Sequence, residues 1–245
     1  MKVRILEDDR AVARAAASGV RRLLAARPDA VLGLPTGRTP ILLYALLRQA
    51  HAAGRLDFSR ATTFNLDEFV GLPPSHPASY RRFMQTHLFD HVNIRPARIH
   101  FLDGTAADQW AECARSEAAI RRAGGIDLQI LGIGANAHIG FNEPGRWLHA
   151  DSHPARLEPG TRRSNAALFA GRVRDVPREA LSMGMGTILR ARAVVLVATG
   201  AGKADAVAAT LEGPVTTAVP ASFLQLHGDV EVLLDRAAAS RLQAR

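Results

Sequence analysis

The sequence predicts a doubly wound α/β domain: a mostly parallel, Rossmann-like sheet with helices on both faces. Short apolar runs suited to buried strands alternate with longer segments of helical periodicity along the chain. Glycine-containing turns follow several of these runs, as in βα units. The 245 residues, 47% of them hydrophobic, fit one domain with a sizeable core. We therefore expect residues 1–245 to form a single domain.

The individual elements are predicted from local patterns. The first helix begins at Asp8 or Asp9, and apolar residues follow at spacings of three and four as far as Arg27. The strands are short runs rich in Val, Leu and Ile that are bounded by turn residues. In chain order, strands are predicted at 2–6, 30–34, 61–65, 99–102, 128–133, 193–198 and 230–234, and helices at 9–27, 41–50, 79–89, 107–123 and 204–212.

One long segment departs from this alternation. Hydrophobic periodicity fades after Pro144 and returns only at Leu181–Leu189. A loop-rich segment of this length inside a compact domain is often functional. We therefore expect residues 145–177 to form a lid.

The positive charge suggests nucleic-acid binding, but its distribution does not support that function. The formal net charge is +8 and the isoelectric point is near 11.0. The arginines are scattered along the chain, and no basic stripe is interleaved with aromatic residues. The sequence also contains no zinc-ligand set or recognition-helix module. We therefore expect a small-molecule ligand and no nucleic acid.

The sequence predicts a cytoplasmic protein without membrane contact. No apolar run approaches the roughly 18 residues that a membrane-spanning helix requires. Acidic residues stand near the N-terminus, where a signal peptide would have its apolar segment. Cys113 is the only cysteine, so an internal disulfide is excluded, and we expect a small buried residue there.

A glycine-broken stretch after the strand at 128–133 is the first candidate for chemistry. Gly132 and Gly134 end the strand, and Asn136, His138 and Glu143 follow in quick succession. Ligands of open α/β sheets bind just beyond the carboxyl ends of the strands. A histidine and a carboxylate delivered there are placed for proton transfer. The alternative is a surface loop in which the histidine is solvated.

Two strand-to-helix turns are suited to bind an anion. The first contains Thr36, Gly37, Arg38 and Thr39, and the second contains Lys203 between glycine and a helix. Such turns direct backbone N–H groups and a helix dipole toward an anion. Lys203 is one of only two lysines in an arginine-rich chain. An ordinary βα connection and a solvated lysine are the alternatives.

A pair of acids follows the strand at 61–65. Asp67 and Glu68 stand next to each other at its carboxyl end. One interpretation is a catalytic carboxylate beside a structural one, and the other is a helix start favoured by the dipole.

Together the four turns predict proton transfer on a small anionic metabolite. In an open sheet the carboxyl ends of parallel strands meet at one edge, so the two phosphate-type turns, the acids and the histidine can converge. The sequence shows no dinucleotide fingerprint, nucleophile elbow or metal-ligand spacing.

Several motifs resemble the glucosamine-6-phosphate deaminase family. They are Leu-Gly-Leu-Pro-Thr-Gly-Arg-Thr-Pro at 32–40, Phe-Asn-Leu-Asp-Glu-Phe-Val-Gly-Leu at 64–72, His-Pro-Ala-Ser-Tyr at 76–80 and, above all, His-Ile-Gly-Phe-Asn-Glu-Pro at 138–144, with further matches at 182–187 and 220–227. The resemblance covers nearly the whole chain. It implies conversion of glucosamine 6-phosphate and water to fructose 6-phosphate and ammonia, without a metal or organic cofactor.

The resemblance also implies roles for individual residues. Asp67 corresponds to the base that takes the C2 proton and returns it at C1. His138 corresponds to the ring-opening histidine, and Glu143 to the carboxylate that orients it. Asn136 lies where some members of the family have aspartate and many bacterial ones have asparagine.

Thr36, Gly37, Thr39 and Lys203 fall on the family's phosphate-binding positions. Two residues depart from the pattern: Arg38 replaces a common glycine, and Ala167 stands where a phosphate-binding arginine is usual. We expect Arg38 to supply the guanidinium, with rival donors at 162 and 163. A shifted substrate, such as a different or unphosphorylated amino sugar, is the alternative.

Two other functions fit parts of the sequence. A 6-phosphogluconolactonase has the same fold, and its first loop often contains arginine, but it needs no enolising base. A non-catalytic sugar-phosphate-sensing module would pair the fold with a DNA-binding segment, for which there is no room before Val31. No effector site is recognisable, so we expect a monomer or a small homo-oligomer.

Overall fold

The structure, a computed structural model, describes residues 1–243. Its strands are β1 (Lys2–Leu6), β2 (Val31–Leu34), β3 (Thr62–Asn65), β4 (Asp67–Phe69), β5 (Ile99–His100), β6 (Leu128–Leu131), β7 (His153–Arg156), β8 (Glu179–Ser182), β9 (Ala193–Ala198) and β10 (Val230–Asp235). Its α-helices are α1 (Asp9–Ala26), α2 (Pro40–Ala52), α3 (Tyr80–His87), α4 (Gln109–Arg122), α5 (Pro159–Asn165), α6 (Met185–Leu189) and α7 (Ala204–Glu212).

Seven strands form a fully parallel sheet in the order β1-β10-β9-β6-β2-β3-β5. From β2 the chain adds β3 and β5 on one side, then crosses over to add β6, β9 and β10 on the other. The strand order therefore reverses between β2 and β6, which is where α/β sheets form their ligand crevice. The predicted doubly wound α/β fold is confirmed.

Helices cover both faces of this sheet because the central strands are apolar on both sides. One face packs against α1 and α2 through residues such as Val20 and Leu47. The other face packs against α4, α6 and α7 through residues such as Ile120, Ile188 and Val207. Strands of this kind read as continuous apolar runs, which is why the sequence predicts them well.

A second, antiparallel sheet of order β4-β8-β7 was not expected. Asp67 and Glu68 lie in β4 rather than at the helix start that was one of their two interpretations. The segment 145–177, expected to be loop-rich, contributes β7, α5 and two 3-10 turns. These strands have only three or four residues and lack clear alternation, so periodicity does not reveal them.

One buried anchor and one set of internal hydrogen bonds hold the segment 145–177. The carboxylate of Glu117 in α4 accepts hydrogen bonds from the backbone N–H and hydroxyl of Ser152, at 2.9 and 2.7 Å, and from the hydroxyl of Thr187, at 2.7 Å. Farther along, the guanidinium of Arg162 donates to the carbonyl oxygens of Val173 and Val176. The segment is therefore held by side chains from α4 and from within itself.

Cys113 lies buried in α4, and burial raises the pKa of its thiol to about 12. The prediction of a small buried residue is confirmed. No helix within residues 1–243 is long and apolar enough to cross a membrane.

Candidate active site

The four turns singled out in the sequence follow four adjacent strands. β9, β6, β2 and β3 lie next to one another and are parallel, so their carboxyl ends share one edge of the sheet. The turns after β2, β6 and β9 border a small crevice against α1 and α2 that is lined by Thr39, Gly132 and Thr199 among others, whereas Asp67, His138 and Lys203 lie outside it. The candidate site therefore lies at the point where the strand order reverses.

His138 and Glu143 form a close pair in the loop after β6. Nδ1 of His138 lies 3.2 Å from Oε2 of Glu143, and the same carboxylate oxygen accepts a 2.8 Å hydrogen bond from Nδ2 of Asn136. The imidazole lies over Gly134, where a Cβ atom would come within 2.3–2.6 Å of the ring. Glycine is therefore required at 134, and Ala137 adopts a left-handed conformation with φ of 64° to complete the turn.

The hydrogen bonds around Glu143 keep it ionised. Burial by itself favours the neutral carboxyl group, but hydrogen bonds from His138, Thr161 and Asn136 and the charge of His138 outweigh it. They lower the pKa of Glu143 to about 2. Because the ionised carboxylate of Glu143 accepts a hydrogen bond from Nδ1, the hydrogen-bond network assigns the proton of the neutral imidazole to Nδ1. Nε2 is then the proton acceptor.

Asp67 has the opposite environment. Its side chain is buried, and its Oδ1 atom has no hydrogen-bond partner within residues 1–243. Burial, and secondarily the charge of Glu68, raises the pKa of Asp67 to about 8. A buried carboxyl group with a perturbed pKa and no structural partner is a strong candidate for acid–base chemistry.

Glu68 is the structural member of the pair of acids. Its carboxylate accepts hydrogen bonds from the Ser79 hydroxyl at 2.7 Å and from the backbone N–H groups of Tyr80 and Arg81 at 3.0 Å. It therefore caps the first turn of α3, where a negative charge is favourable. Glu68 is therefore a structural carboxylate, and the catalytic role of Asp67 stays a prediction.

Tyr80 lies between Asn165 of α5 and the surroundings of Asp67, and the pattern of acids and bases in the sequence does not predict it. Its hydroxyl donates to Oδ1 of Asn165 at 3.0 Å and lies within hydrogen-bonding reach of Thr36. Burial raises the pKa of Tyr80, and the nearby charge of Asp67 adds to the rise. Buried Tyr44, which donates to the carbonyl oxygen of Pro35, also feels the charge of Asp67. Only the topology brings these tyrosines to the site.

The predicted anion-binding residues border the same edge. Gly37 has a φ of 98°, a conformation that favours glycine, and Thr39 is the residue before the first turn of α2. Arg38 is exposed in this loop. Lys203 ends a 3-10 turn directly before α7; it is half-buried, and burial lowers the pKa of its ammonium group.

The rival arginines are placed differently. Ala167 lies exposed in a 3-10 turn, so this position supplies no polar group. The guanidinium of Arg162 donates to backbone carbonyls and is engaged in the structure of its own segment. Arg163 is exposed beside it, which leaves Arg38 and Arg163 as the candidate guanidinium donors.

No group of three or more His, Cys, Asp or Glu side chains is placed to hold a metal ion within the part of the chain that the structure describes. The ionisable residues at this edge are arranged singly or in pairs.

Residues 8–233 match the family described as glucosamine-6-phosphate isomerases/6-phosphogluconolactonase. The chain belongs to this family. It is 50% identical over 242 residues to the glucosamine-6-phosphate deaminase of Halothermothrix orenii, an alignment that covers 99% of this chain and 100% of the relative. It is 48% identical over 245 residues to glucosamine-6-phosphate deaminase 2 of Bacillus subtilis, covering 100% and 98% of the two chains.

Two solved structures have folds similar to that of this chain. A monomeric glucosamine-6-phosphate deaminase superposes with a TM-score of 0.95 at 41% identity, covering 98% of this chain and 100% of that one. The 6-phosphogluconolactonase of Trypanosoma cruzi superposes with a TM-score of 0.80 at 18% identity, covering 99% and 97%. The lactonase shares the fold, whereas the deaminase resembles this chain in sequence as well.

The environment of Asp67 predicts an unusual dependence of stability on pH. Its pKa of about 8 in the folded protein lies above the value near 3.9 of an unfolded chain, so the folded state retains a proton that the unfolded state loses. The free energy of unfolding therefore falls as the pH rises from about 4 to about 8, because only the folded state has to keep this proton. Asp67→Asn should raise the free energy of unfolding at pH 9 by a few kcal/mol, on the order of 2–5, and change it little at pH 4.

Chemical denaturation of both proteins at pH 4 and pH 9 measures this difference. Asp29→Asn, which changes an exposed carboxylate, is the matched control and should show no such pH dependence. An equal effect of Asp67→Asn at both pH values would contradict the raised pKa.

Proposed function

We propose that the protein is a glucosamine-6-phosphate deaminase that converts glucosamine 6-phosphate and water to fructose 6-phosphate and ammonia. The observation that carries this proposal is the buried, unpartnered carboxyl group of Asp67 on the same sheet edge as the His138–Glu143 pair. Isomerisation needs a base at carbon in addition to a group that opens the sugar ring. Hydrolysis of a lactone needs no carbon base, and relatives at about half identity are deaminases.

Ring opening is the step assigned to His138. Nε2 of the neutral imidazole takes the proton of the C1 hydroxyl group, and the same proton is delivered to the ring oxygen as the C1–O5 bond breaks. The imidazole is transiently cationic during this transfer. The carboxylate of Glu143 stabilises that charge, while the amide of Asn136 holds Glu143 in place.

Proton transfer between C2 and C1 is the step assigned to Asp67. The carboxylate removes the proton from C2 of the open-chain aldehyde, the aldehyde oxygen gains a proton from the ammonium group of the substrate, and an enolamine forms. Asp67 then returns its proton to C1, which leaves a C=N bond at C2. Addition of water at C2 and departure of ammonia yield the ketone.

The raised pKa of Asp67 suits this exchange. A carboxylate whose conjugate acid has a pKa of about 8 is a stronger base than an ordinary aspartate, and it can hold the proton between the two carbons. The amino group of the substrate, when protonated, brings a positive charge close to Asp67. That charge favours the ionised form of Asp67 at the moment when the base is needed.

The phosphate group is assigned to the two strand-to-helix turns. Thr36, Gly37 and Thr39 offer hydroxyl and backbone N–H donors before α2, and Lys203 offers an ammonium group before α7. Arg38 would add a guanidinium from the loop after β2, in place of the arginine that Ala167 replaces.

We also propose that residues 1–245 act as a single domain, with 145–177 as a lid over the substrate. The Thr161 and Asn165 contacts of α5 beside the site support this assignment. A monomer or small homo-oligomer is supported by the monomeric structural relative, and a cytoplasmic location by relatives that are metabolic enzymes. The proposed reaction needs no metal, organic cofactor, membrane or nucleic acid.

Turnover of glucosamine 6-phosphate tests the function directly. We expect equal molar release of ammonia and fructose 6-phosphate, and loss of both in His138→Asn and Asp67→Asn, by about a thousandfold or more. Galactosamine 6-phosphate, free glucosamine and 6-phosphogluconolactone serve as competing substrates in the same assay. Efficient hydrolysis of the lactone with no ammonia release from amino sugars would overturn the proposal.

The phosphate site predicts a selective loss of affinity. Arg38→Ala and Lys203→Met each remove a cationic donor, so we expect KM for glucosamine 6-phosphate to rise about tenfold or more, with a smaller change in kcat. Arg163→Ala, which removes the rival donor in the segment 145–177, is measured in parallel and should leave KM unchanged. If Arg163→Ala raised KM and Arg38→Ala did not, the guanidinium would belong to Arg163.

A further inference from the structure

Helix α5 reaches from the segment 145–177 into the catalytic pair. Thr161 is buried in this helix, and its Oγ1 atom lies 3.4 Å from Nδ1 of His138. The same hydroxyl group is within hydrogen-bonding reach of Glu143. Immediately before the helix, the backbone N–H of Glu158 points at Oε1 of Glu143 at 3.3 Å.

We propose that Thr161 is a positioning residue for the reaction, whose hydroxyl donates to Glu143 and aligns that carboxylate on Nδ1 of His138. The proposal rests on the function proposed above. It makes the alignment of the ring-opening pair depend on the docking of α5 against the loop after β6.

The hydrogen-bond inventory determines the direction of this contact. Glu143 is an ionised acceptor, and the neutral imidazole donates its Nδ1 proton to it. Nδ1 is then unable to accept, so the Thr161 hydroxyl donates to the carboxylate, and Thr161 is the buried residue among the donors to Glu143. Rotation of Glu143 away from Nδ1 would break this bond as well, and the hydroxyl therefore restrains the carboxylate.

The donors to Glu143 come equally from two elements. His138 and Asn136 belong to the loop after β6, whereas the Thr161 hydroxyl and the Glu158 N–H belong to the start of α5. Undocking of α5 would remove half of them. Of these groups only His138 becomes charged, when its imidazole takes up a second proton, and the other donors to Glu143 within the described residues are neutral.

A second contact ties α5 to the Asp67 side of the site. Nδ2 of Asn165 donates to the carbonyl oxygen of Thr161 at 2.9 Å, and Oδ1 of Asn165 accepts from the Tyr80 hydroxyl at 3.0 Å. Tyr80 in turn lies near Asp67. Helix α5 therefore bridges the ring-opening pair and the surroundings of the carbon base.

The test compares Thr161→Val, which keeps the shape but removes the hydroxyl, with Thr161→Ser, which restores it. We expect Thr161→Val to lower kcat about tenfold while KM changes less than about twofold, and Thr161→Ser to remain within about threefold of wild type. Ser164→Ala is the control, since this exposed hydroxyl of the same helix bonds only to the Thr161 carbonyl among the described residues. If Thr161→Val fails to fold, Thr161→Ala replaces it.

A second readout does not depend on turnover. ¹⁵N NMR of the His138 ring should show the Nδ1–H tautomer dominant in wild type and Thr161→Ser, and a mixture of tautomers in Thr161→Val. Tautomer and kcat unchanged in Thr161→Val would overturn the proposal, as would a loss in kcat that Thr161→Ser does not restore. A wild-type protein without deaminase activity would overturn the proposed function, while the tautomer comparison would still decide the role of Thr161.

Discussion

The site depends on keeping one carboxyl group buried without a partner. Asp67 lies in β4, where the antiparallel sheet adjoins the carboxyl end of the parallel sheet, and pairs in register with Ser182 of β8. Glu68 accepts hydrogen bonds from the N–H groups that begin α3, so these donors do not stabilise the ionised form of Asp67. Desolvation of an ionised carboxylate is unfavourable, and the surrounding sheets hold it in place against that cost. In the proposed mechanism, Asp67 is a reactive base that is obtained at the expense of stability.

The chemistry follows from two carboxyl groups whose environments push their pKa values apart. Glu143 accepts several hydrogen bonds and has a pKa of about 2, so it stays charged and supports an imidazole. Asp67 accepts none at Oδ1 and has a pKa of about 8, so it can take and return a proton. Environments of this kind separate an electrostatic role from a base role on one fold. In the proposed mechanism, ring opening and carbon deprotonation therefore use two different carboxylates.

Sequence patterns predict the parallel sheet because its central strands are apolar on both faces, as Ala193–Ala198 illustrates. They miss the antiparallel sheet, since β4 and β8 are short and their side chains are buried among irregular segments. They also place His138 and Glu143 together, because a short glycine-broken loop joins them. Tyr80 and Thr161 could not be predicted as neighbours of the site, because neither carries a charge and only tertiary packing brings them there.

In the proposed mechanism, Asp67 moves the proton between C2 and C1. The most direct test of this step is the turnover of glucosamine 6-phosphate deuterated at C2, followed by NMR of the substrate and product. We expect slower turnover than with the protiated sugar and partial recovery of deuterium at C1 of fructose 6-phosphate. In Asp67→Asn, cleavage of the C2–D bond should be reduced by about a thousandfold. Cleavage of that bond at the wild-type rate in Asp67→Asn would contradict this step.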